Sequence, residues 1–134
     1  MTKKEVLTKT QIKKLAVLAA NLADDKKAKD IVLLDLKGLS SLADFVIIST
    51  TMSKPQMEAV EYEINKELKA KGVYQLHKDG SQSSLWKIID YGGFIVHIMS
   101  KEARKFYMLD DIYSFAKPIN WIKKDAKKSR KKSK

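Results

Sequence analysis

Apolar residues recur every three or four positions near the start of the chain, which predicts an amphipathic helix over residues 10–27. Thr8 and Gln11 have the spacing of a capping box at its start. The apolar face consists of Ile12, Leu15, Ala16, Ala19, Leu22 and Ala23. Such a face is expected to pack on the remainder of the fold.

A second helix is expected to begin at Ser53, a residue that suits the N-cap. Gln56 stands at the capping-box position, and Pro55 falls in the first turn, where its missing N–H costs little. Gly72 is expected to end this helix. Its apolar stripe is Met57, Val60, Ile64 and Leu68.

Short apolar runs rich in β-branched residues predict strands between and after these helices. Residues 31–36 and 45–48 are nearly continuous runs, typical of strands buried on both faces. A short strand is also expected over residues 73–76. Residues 85–90 and 94–99 are predicted to form a hairpin, because two consecutive glycines between them supply the positive φ angles of a tight turn.

Ser100 is expected to cap a third helix that runs to about residue 113. Ala103, Phe106, Tyr107 and Leu109 are available for packing, and Pro118 is expected to end regular structure. The predicted order is α-β-β-α-β-β-β-α. We therefore expect the α/β class, with a single domain in which helices pack on one mixed sheet.

Positive charge is concentrated at one end of the chain, whose net charge is +11. Residues 117–134 hold nine basic residues against one acidic residue, so +8 falls in this segment and +3 in residues 1–116. We expect a folded domain over 1–116 and a disordered, lysine-rich tail over 117–134. The tail either stays solvated or contacts RNA by counterion release, and composition does not decide between the two.

The chain has no cysteine, which excludes disulfides and suits a reducing compartment. It lacks an apolar run of about eighteen residues, the length that a membrane-spanning helix needs. Residues 1–10 do not contain the apolar segment of a secretory signal. We therefore expect a cytoplasmic protein with no membrane partner.

Residues that would carry catalysis or hold a cofactor are scarce. No glycine-rich phosphate loop of common spacing occurs, and His97 has no neighbouring motif of metal ligands. Asp35, Asp44 and Asp90 fall at strand or loop boundaries, where three carboxylates could hold magnesium. Single acids at such places are more commonly turn or cap residues. We predict no catalytic residue, no metal and no cofactor.

The predicted strand over residues 85–90 combines large aromatic residues with charged ones. Alternation places Trp86 and Asp90 on one face and Lys87 and Tyr91 on the other. A tryptophan beside an acid fits an interface, where Trp and Tyr are frequent anchors. It fits a core tryptophan with Asp90 at the strand end equally well, so the pattern leaves both interpretations open.

Four motifs occur in order between residues 31 and 113. They are I-V-L-L-D-L-K-G-L-S-S-L-A-D at 31–44, Thr51-x-Ser53-x-x-Gln56, Trp86-x-x-x-Asp90-Tyr91-Gly92 followed by Val96-His97, and Arg104-x-Phe106-Tyr107-x-Leu109-Asp110. This succession resembles the ribosomal silencing factors, also called Iojap-like proteins. The chain departs from them in the T-G-x-S turn, where Thr51 or Met52 replaces the glycine.

The resemblance implies a fold related to nucleotidyltransferases, without transferase activity. It implies binding to protein fourteen of the large ribosomal subunit, which would block joining of the small subunit and repress translation. Homodimers are common among free members, so a homodimer is among the expectations. We expect the partner-binding residues to be Trp86, Lys87, Asp90, Tyr91 and His97.

Two other functions compete with this one. The first is a metal-dependent enzyme resembling the nucleotidyltransferases, which would use Asp35, Asp44 and Asp90. The second is an RNA-binding module that acts through the lysine-rich tail. The enzyme requires two carboxylates close together, and the RNA-binding module requires a basic face with exposed aromatic residues on the folded domain.

Overall fold

Six strands and four helices make up the part of the chain that a computed structural model describes, residues 7–80 and 85–122. The sheet order is β3-β4-β5-β2-β1-β6. In chain order the elements are α1 (Lys9–Asp25), β1 (Lys29–Asp35), β2 (Phe45–Thr51), α2 (Lys54–Ala70), β3 (His77–Asp79), β4 (Trp86–Asp90), β5 (Phe94–Ser100), α3 (Lys101–Tyr107), α4 (Leu109–Ile112) and β6 (Lys117–Ile119).

The two central strands of the sheet, β2 and β5, are parallel, and all the other neighbours pair antiparallel. Every residue of β2 is buried, both the apolar run over residues 45–48 that predicts it and the three hydroxyl-bearing residues that follow. The predicted α/β class with one mixed sheet is therefore confirmed.

The predicted capping box of α1 is complete. The Gln11 N–H donates to Thr8 Oγ1 at 3.1 Å, and the Thr8 N–H donates to Gln11 Oε1 at 2.8 Å. These bonds satisfy backbone donors that the first turn of a helix leaves without partners. The helix begins at the residue after Thr8, close to the predicted start.

The second helix begins after Ser53, whose hydroxyl accepts the N–H of Gln56 at 3.2 Å. The Gln56 side chain accepts from Met52 N at 2.7 Å, so the loop before the helix is tied one residue earlier than in a standard capping box. All four residues of the predicted apolar stripe are fully buried. In residues 7–80 and 85–122, no helix is long and apolar enough to cross a membrane.

The helices cover the two faces of the sheet unequally. Helices α1 and α2 pack on one face and bury the larger core, which includes Leu33, Phe45 and Ile47 from the sheet. The shorter α3 and α4 lie against the other face, where Ala103 and Leu109 join a smaller cluster. We call this second, partly covered side the open face.

The strand predicted over residues 73–76 is wrong in position. Val73 N–H bonds to Leu68 O at 2.9 Å and so completes the end of α2 rather than pairing with a strand. Leu76 is the first residue to reach β4, where its N–H donates to Asp90 O at 2.8 Å. The strand therefore forms directly after the predicted range, at His77–Asp79, where a partner is present.

The predicted third helix is broken in two at Met108, which adopts a left-handed conformation with φ 52°. The Met108 N–H still bonds to Arg104 O, so it closes α3 before α4 starts at Leu109. A residue with a side chain is strained in this region, so the break must be held by contacts elsewhere.

Regular structure continues past residue 116, so the predicted division of the chain is corrected there. Residues 117–119 form β6, which pairs with β1 at the sheet edge, the place where a strand tolerates Pro118. Trp121 then donates its Nε1–H to Ile31 O at 3.1 Å and accepts a bond from Asn21 Nδ2 at 2.8 Å. These residues belong to the folded domain, and residues 123–134 lie outside the described residues.

Candidate functional site

Six aromatic rings form a nearly continuous chain across the open face, and we call them the aromatic surface. Adjacent ring centroids lie 4.9 Å apart for Trp86 and Tyr107, 5.0 Å for Phe106 and Tyr107, and 5.9 Å for Trp86 and His97. The chain continues from His97 to Tyr113 and on to Phe115, at 6.1 and 6.3 Å. All six rings come from β4, β5 and the segment that follows Ser100.

Much of the aromatic surface is exposed to solvent. Phe106 is 77% exposed and Tyr107 48% exposed, whereas His97 is buried beneath them at 5%. Met108 and Ile112 widen the exposed apolar area at its edge, with 58% and 60% of their surface accessible. Exposed apolar patches of this kind commonly mark the sites at which a protein binds a partner.

Arg104 fixes the position of the segment that carries the exposed rings. Its Nη1 donates to Asp30 O at 2.6 Å and to Thr50 Oγ1 at 2.9 Å, which ties α3 to the start of β1 and to β2. Its Nε and Nη2 form a two-pronged contact with the carboxylate of Asp110 in α4, each at 3.1 Å. These bonds span the break at Met108 and hold both short helices on the sheet.

The floor of the aromatic surface is a hydrogen bond between Trp86 and His97. The indole Nε1–H donates to His97 Nδ1 at 3.0 Å. Because the indole nitrogen can only donate, the neutral imidazole carries its proton on Nε2. Burial lowers the pKa of His97 to about 4, so the ring stays neutral near pH 7. The bond orients the half-buried Trp86 ring, whose far side contacts Tyr107.

The structure does not bring all five expected partner-binding residues together. Trp86 and His97 belong to the aromatic surface. Asp90 is half-buried at the hairpin, where its Oδ1 accepts the N–H of Gly92 at 2.7 Å. Lys87 and Tyr91 point to the opposite face and are 2% and 6% exposed beneath α2. The alternation along β4 was predicted correctly, and it is the reason that these two residues cannot share a surface with Trp86.

Lys87 and Tyr91 have partners in α2 that account for their burial. Lys87 Nζ lies 3.3 Å from Glu61 Oε1, whose carboxylate also binds Lys78 at 2.7 Å. The Tyr91 hydroxyl donates to Asn65 Oδ1 at 3.2 Å. Burial raises the pKa of the Tyr91 hydroxyl well above its ordinary value, with the charge of Glu61 adding to the effect. Both residues therefore hold α2 on the sheet.

The three aspartates that are candidates for a metal site do not form one site. In residues 7–80 and 85–122, no three histidine, aspartate or glutamate side chains lie close enough to hold a metal ion together. Asp35 accepts the backbone N–H of Lys37 at 2.8 Å and pairs with Lys9 at 3.3 Å. The backbone bond is the main cause that lowers the pKa of Asp35, and Lys9 adds to it. Asp35 and Asp90 thus act as turn residues.

Sequence reasoning missed the most exposed members of the aromatic surface. Phe106 and Tyr107 were expected to pack against the fold, together with Ala103 and Leu109. Their position next to each other in the sequence could have indicated their exposure. Consecutive residues of a helix point about 100° apart, so both cannot face one sheet. Ala103 and Leu109 do face the sheet and are buried.

Comparison with known protein families shows the family of this chain. The family model described as "Ribosomal silencing factor during starvation" matches residues 9–134. The chain belongs to the ribosomal silencing factor family. The match confirms the resemblance over residues 31–113 and extends beyond it in both directions, through the lysine-rich end of the chain.

Individual members of the silencing factor family give the same result. "Ribosomal silencing factor RsfS" of Halalkalibacterium halodurans is 34% identical over 105 residues, which cover 78% of this chain and 90% of that protein. "Protein Iojap, chloroplastic" of Arabidopsis thaliana is 33% identical over 104 residues, which cover 78% of this chain and 43% of that longer protein. The family's name implies association with ribosomes and a regulatory role.

Two solved structures share the silencing factor fold. A crystal structure of a Bacillus halodurans protein has a TM-score of 0.67 and 34% identity, with 75% of this chain and 93% of that chain covered. A crystal structure of a Chromobacterium violaceum protein has a TM-score of 0.72 and 31% identity, with 87% and 95% covered. Both superpose on most of the domain that presents the aromatic surface.

Proposed function

We propose that this silencing factor binds the large ribosomal subunit at its protein fourteen through the aromatic surface. In that position it would block the small subunit from joining and so repress translation. The observation that carries the proposal is the exposed pair Phe106 and Tyr107, backed by Trp86 and fixed by Arg104. Family membership supplies the ribosome as the partner.

The aromatic surface has the physical properties of a binding anchor. Aromatic side chains bury a large area on contact and lose little conformational freedom, which is why they dominate the energetics of many interfaces. The Trp86–His97 bond and the Arg104 network hold the rings in place before binding, so little ordering remains to oppose association. Asp111 is exposed near them and suits the basic character usual in ribosomal proteins.

The proposed mechanism is steric and involves no reaction. A factor that occupies the joining face needs affinity and bulk, and a surface of apolar rings supplies affinity without a reactive group. We therefore propose that the chain is not an enzyme, since two of its three candidate carboxylates, Asp35 and Asp90, accept backbone N–H groups in separate turns. A cytoplasmic location is part of the same proposal and is supported by the absence of cysteine, which suits a reducing compartment.

The basic residues at the end of the chain would add a second, weaker contact. The described part of the chain ends beside α1, where Asn21 Nδ2 donates to Trp121 O. Helix α1 packs on the face opposite the aromatic surface. The lysines that follow in the sequence are suited to ribosomal RNA through nonspecific attraction to phosphate. The expected homodimer of the free protein stays a prediction.

The test is binding of matched tyrosine variants to purified large subunits. Tyr107→Ala is expected to weaken binding about thirtyfold, since truncating an aromatic anchor typically costs about 2 kcal/mol. Phe106→Ala is expected to act in the same direction. Tyr62→Ala is the control, because Tyr62 is 66% exposed on α2, the helix on the other face. Co-sedimentation measures binding, and light scattering after small subunits are added measures joining.

Thermal melts separate loss of contact from loss of folding. Tyr107 and Phe106 are exposed, so their alanine variants should melt near the temperature of the wild type. Trp86→Ala is less informative, because a half-buried ring contributes to both folding and contact. If Tyr107→Ala binds large subunits and blocks joining as well as Tyr62→Ala does, the aromatic surface is not the binding site.

A further inference from the structure

A small cavity that none of the six aromatic rings lines lies at the carboxyl ends of the two parallel strands. Its volume is about 110 Å³, and its lining is Thr51, Met52, Ser53, Ser100, Lys101 and Glu102. Thr51 and Ser100 are register partners at the ends of β2 and β5. The cavity therefore sits where both strands finish and the chain turns into α2 and α3. The proposed ribosome contact makes no use of it.

Thr51 contributes a buried hydroxyl group with no evident structural purpose. The residue is 2% exposed, and its Oγ1 has no hydrogen-bond partner within the described residues. The two preceding hydroxyls of β2 are both engaged, Ser49 with His97 O at 3.2 Å and Thr50 with Arg104 Nη1 at 2.9 Å. A buried polar group left unpaired is unfavourable, so a native fold that keeps one calls for an explanation.

Helix α2 begins directly after Ser53, which lines the cavity. This helix has 17 residues, and its first backbone N–H groups point away from the helix with a partial positive charge. Pro55 has no N–H, and the N–H of Gln56 is taken by Ser53 Oγ. The N–H groups of Ser53 and Lys54 are therefore the backbone donors left to a ligand at this terminus, and Ser53 lines the cavity.

The charges around the cavity favour an anion. Lys101 lines it and Lys54 begins α2 beside it, against the single acid Glu102. The cavity is large enough for one tetrahedral anion and too small for a nucleobase with its sugar. Helix N-termini with nearby lysines commonly hold phosphate groups in this way.

We propose that the cavity binds a single phosphate group, either inorganic phosphate or the terminal phosphate of a small phosphomonoester. The Thr51 hydroxyl and the N–H groups at the start of α2, Ser53 and Lys54, would donate to its oxygens, and Lys101 would neutralise its charge.

Titration of the full-length chain with inorganic phosphate, followed by the backbone amide signals in nuclear magnetic resonance, tests the site. Signals of residues 51–54 and of Lys101 should shift in a saturable way. Thr51→Val keeps the shape of the side chain without the hydroxyl, and should weaken phosphate binding about tenfold, as expected for one lost hydrogen bond to a charged group. Thr51→Ser restores the hydroxyl and should bind within about twofold of the wild type.

Two further probes identify the kind of phosphate. Adenosine monophosphate should shift the same signals as inorganic phosphate, because both carry a phosphate with free oxygens. A uridine decamer with a 5′-hydroxyl end offers only phosphodiesters and should leave them unchanged. The proposal fails if Thr51→Val binds phosphate as the wild type does, if phosphate shifts no signal near Thr51, or if only the decamer does so.

Discussion

At the scale of single residues, the interior of the domain holds polar groups that local sequence gives no reason to bury. Lys87 is 2% exposed because Glu61 reaches it from α2, across 26 positions of sequence. His97 is 5% exposed because Trp86 donates to it. In both cases the partner lies on another element, so burial follows from tertiary pairing and not from the hydropathy of the neighbouring residues.

The burial of His97 predicts a dependence of stability on pH. The unfolded chain protonates this residue below about pH 6.5, whereas burial lowers the pKa in the folded state to about 4. Between these values the unfolded state binds the extra proton, so the free energy of unfolding should fall as pH decreases from about 6.5 to about 4. The loss attributable to His97 should reach about 3 kcal/mol, measured by urea unfolding across this range.

His97→Asn is the matched variant for that measurement. Asparagine can accept the indole N–H in place of Nδ1 but cannot ionise, so its stability should vary less over the same pH range. Titration of Asp35 does not interfere with this comparison of pH-dependent stability. Its pKa is lowered from 3.8, so its contribution is lost only below the window in which His97 acts. Equal pH dependence in the two proteins would show that His97 is not the titrating group.

At the scale of elements, the helices and strands with strong local signals were predicted well. Two capping residues, Thr8 and Ser53, place the starts of α1 and α2 because the cap and its helix are adjacent in sequence. The elements that were missed depend on distant partners. β3 forms only where the chain reaches β4, and β6 forms only because β1 leaves an edge for it to pair with. The contact between Gly93 and Ile12, where an added Cβ would lie 2.6 Å away, is equally invisible from local sequence.

The orientation of the aromatic surface depends on one arginine. Arg104→Lys keeps the positive charge but cannot form the planar, two-pronged contact with Asp110 while also bonding to Asp30 and Thr50. We expect this variant to lose about 2 kcal/mol of stability by urea unfolding, through the lost bonds of a partly buried network. Its binding to large subunits should also weaken several-fold, although every aromatic ring remains present.

Lys105→Ala is the control for this prediction, since Lys105 neighbours Arg104 on α3 and is exposed. It should alter stability by less than about 0.5 kcal/mol and leave the aromatic surface in place. If Arg104→Lys and Lys105→Ala behave alike in both assays, the network around Arg104 does not position the rings.

At the scale of the whole molecule, the folded domain extends beyond residue 116, the boundary that the distribution of charge predicts. Truncation after Ile122 removes a lysine-rich segment without apolar periodicity, so the melting temperature should stay nearly unchanged. The salt dependence of ribosome binding should become weaker, because fewer phosphate contacts release counterions. Truncation after Ala116 also removes β6 and Trp121, and should lower the melting temperature by several degrees or prevent folding.

The two truncations together locate the end of the domain. Equal melting temperatures for the two shortened chains would mean that β6 and Trp121 contribute nothing to stability. A large drop on removing residues 123–134 alone would mean that the lysine-rich end takes part in the fold. The salt dependence is compared by co-sedimentation with large subunits at two or more salt concentrations.

The two outermost strands bear on how this protein behaves at high concentration. Both β3 and β6 have only three residues, with Lys78 exposed in one, and Lys117 and the N–H-lacking Pro118 exposed in the other. Short, charged or proline-containing borders offer a poor template for another molecule to extend the sheet. The protein can therefore carry a hydrophobic sheet and an exposed aromatic patch while resisting growth into amyloid-like fibres.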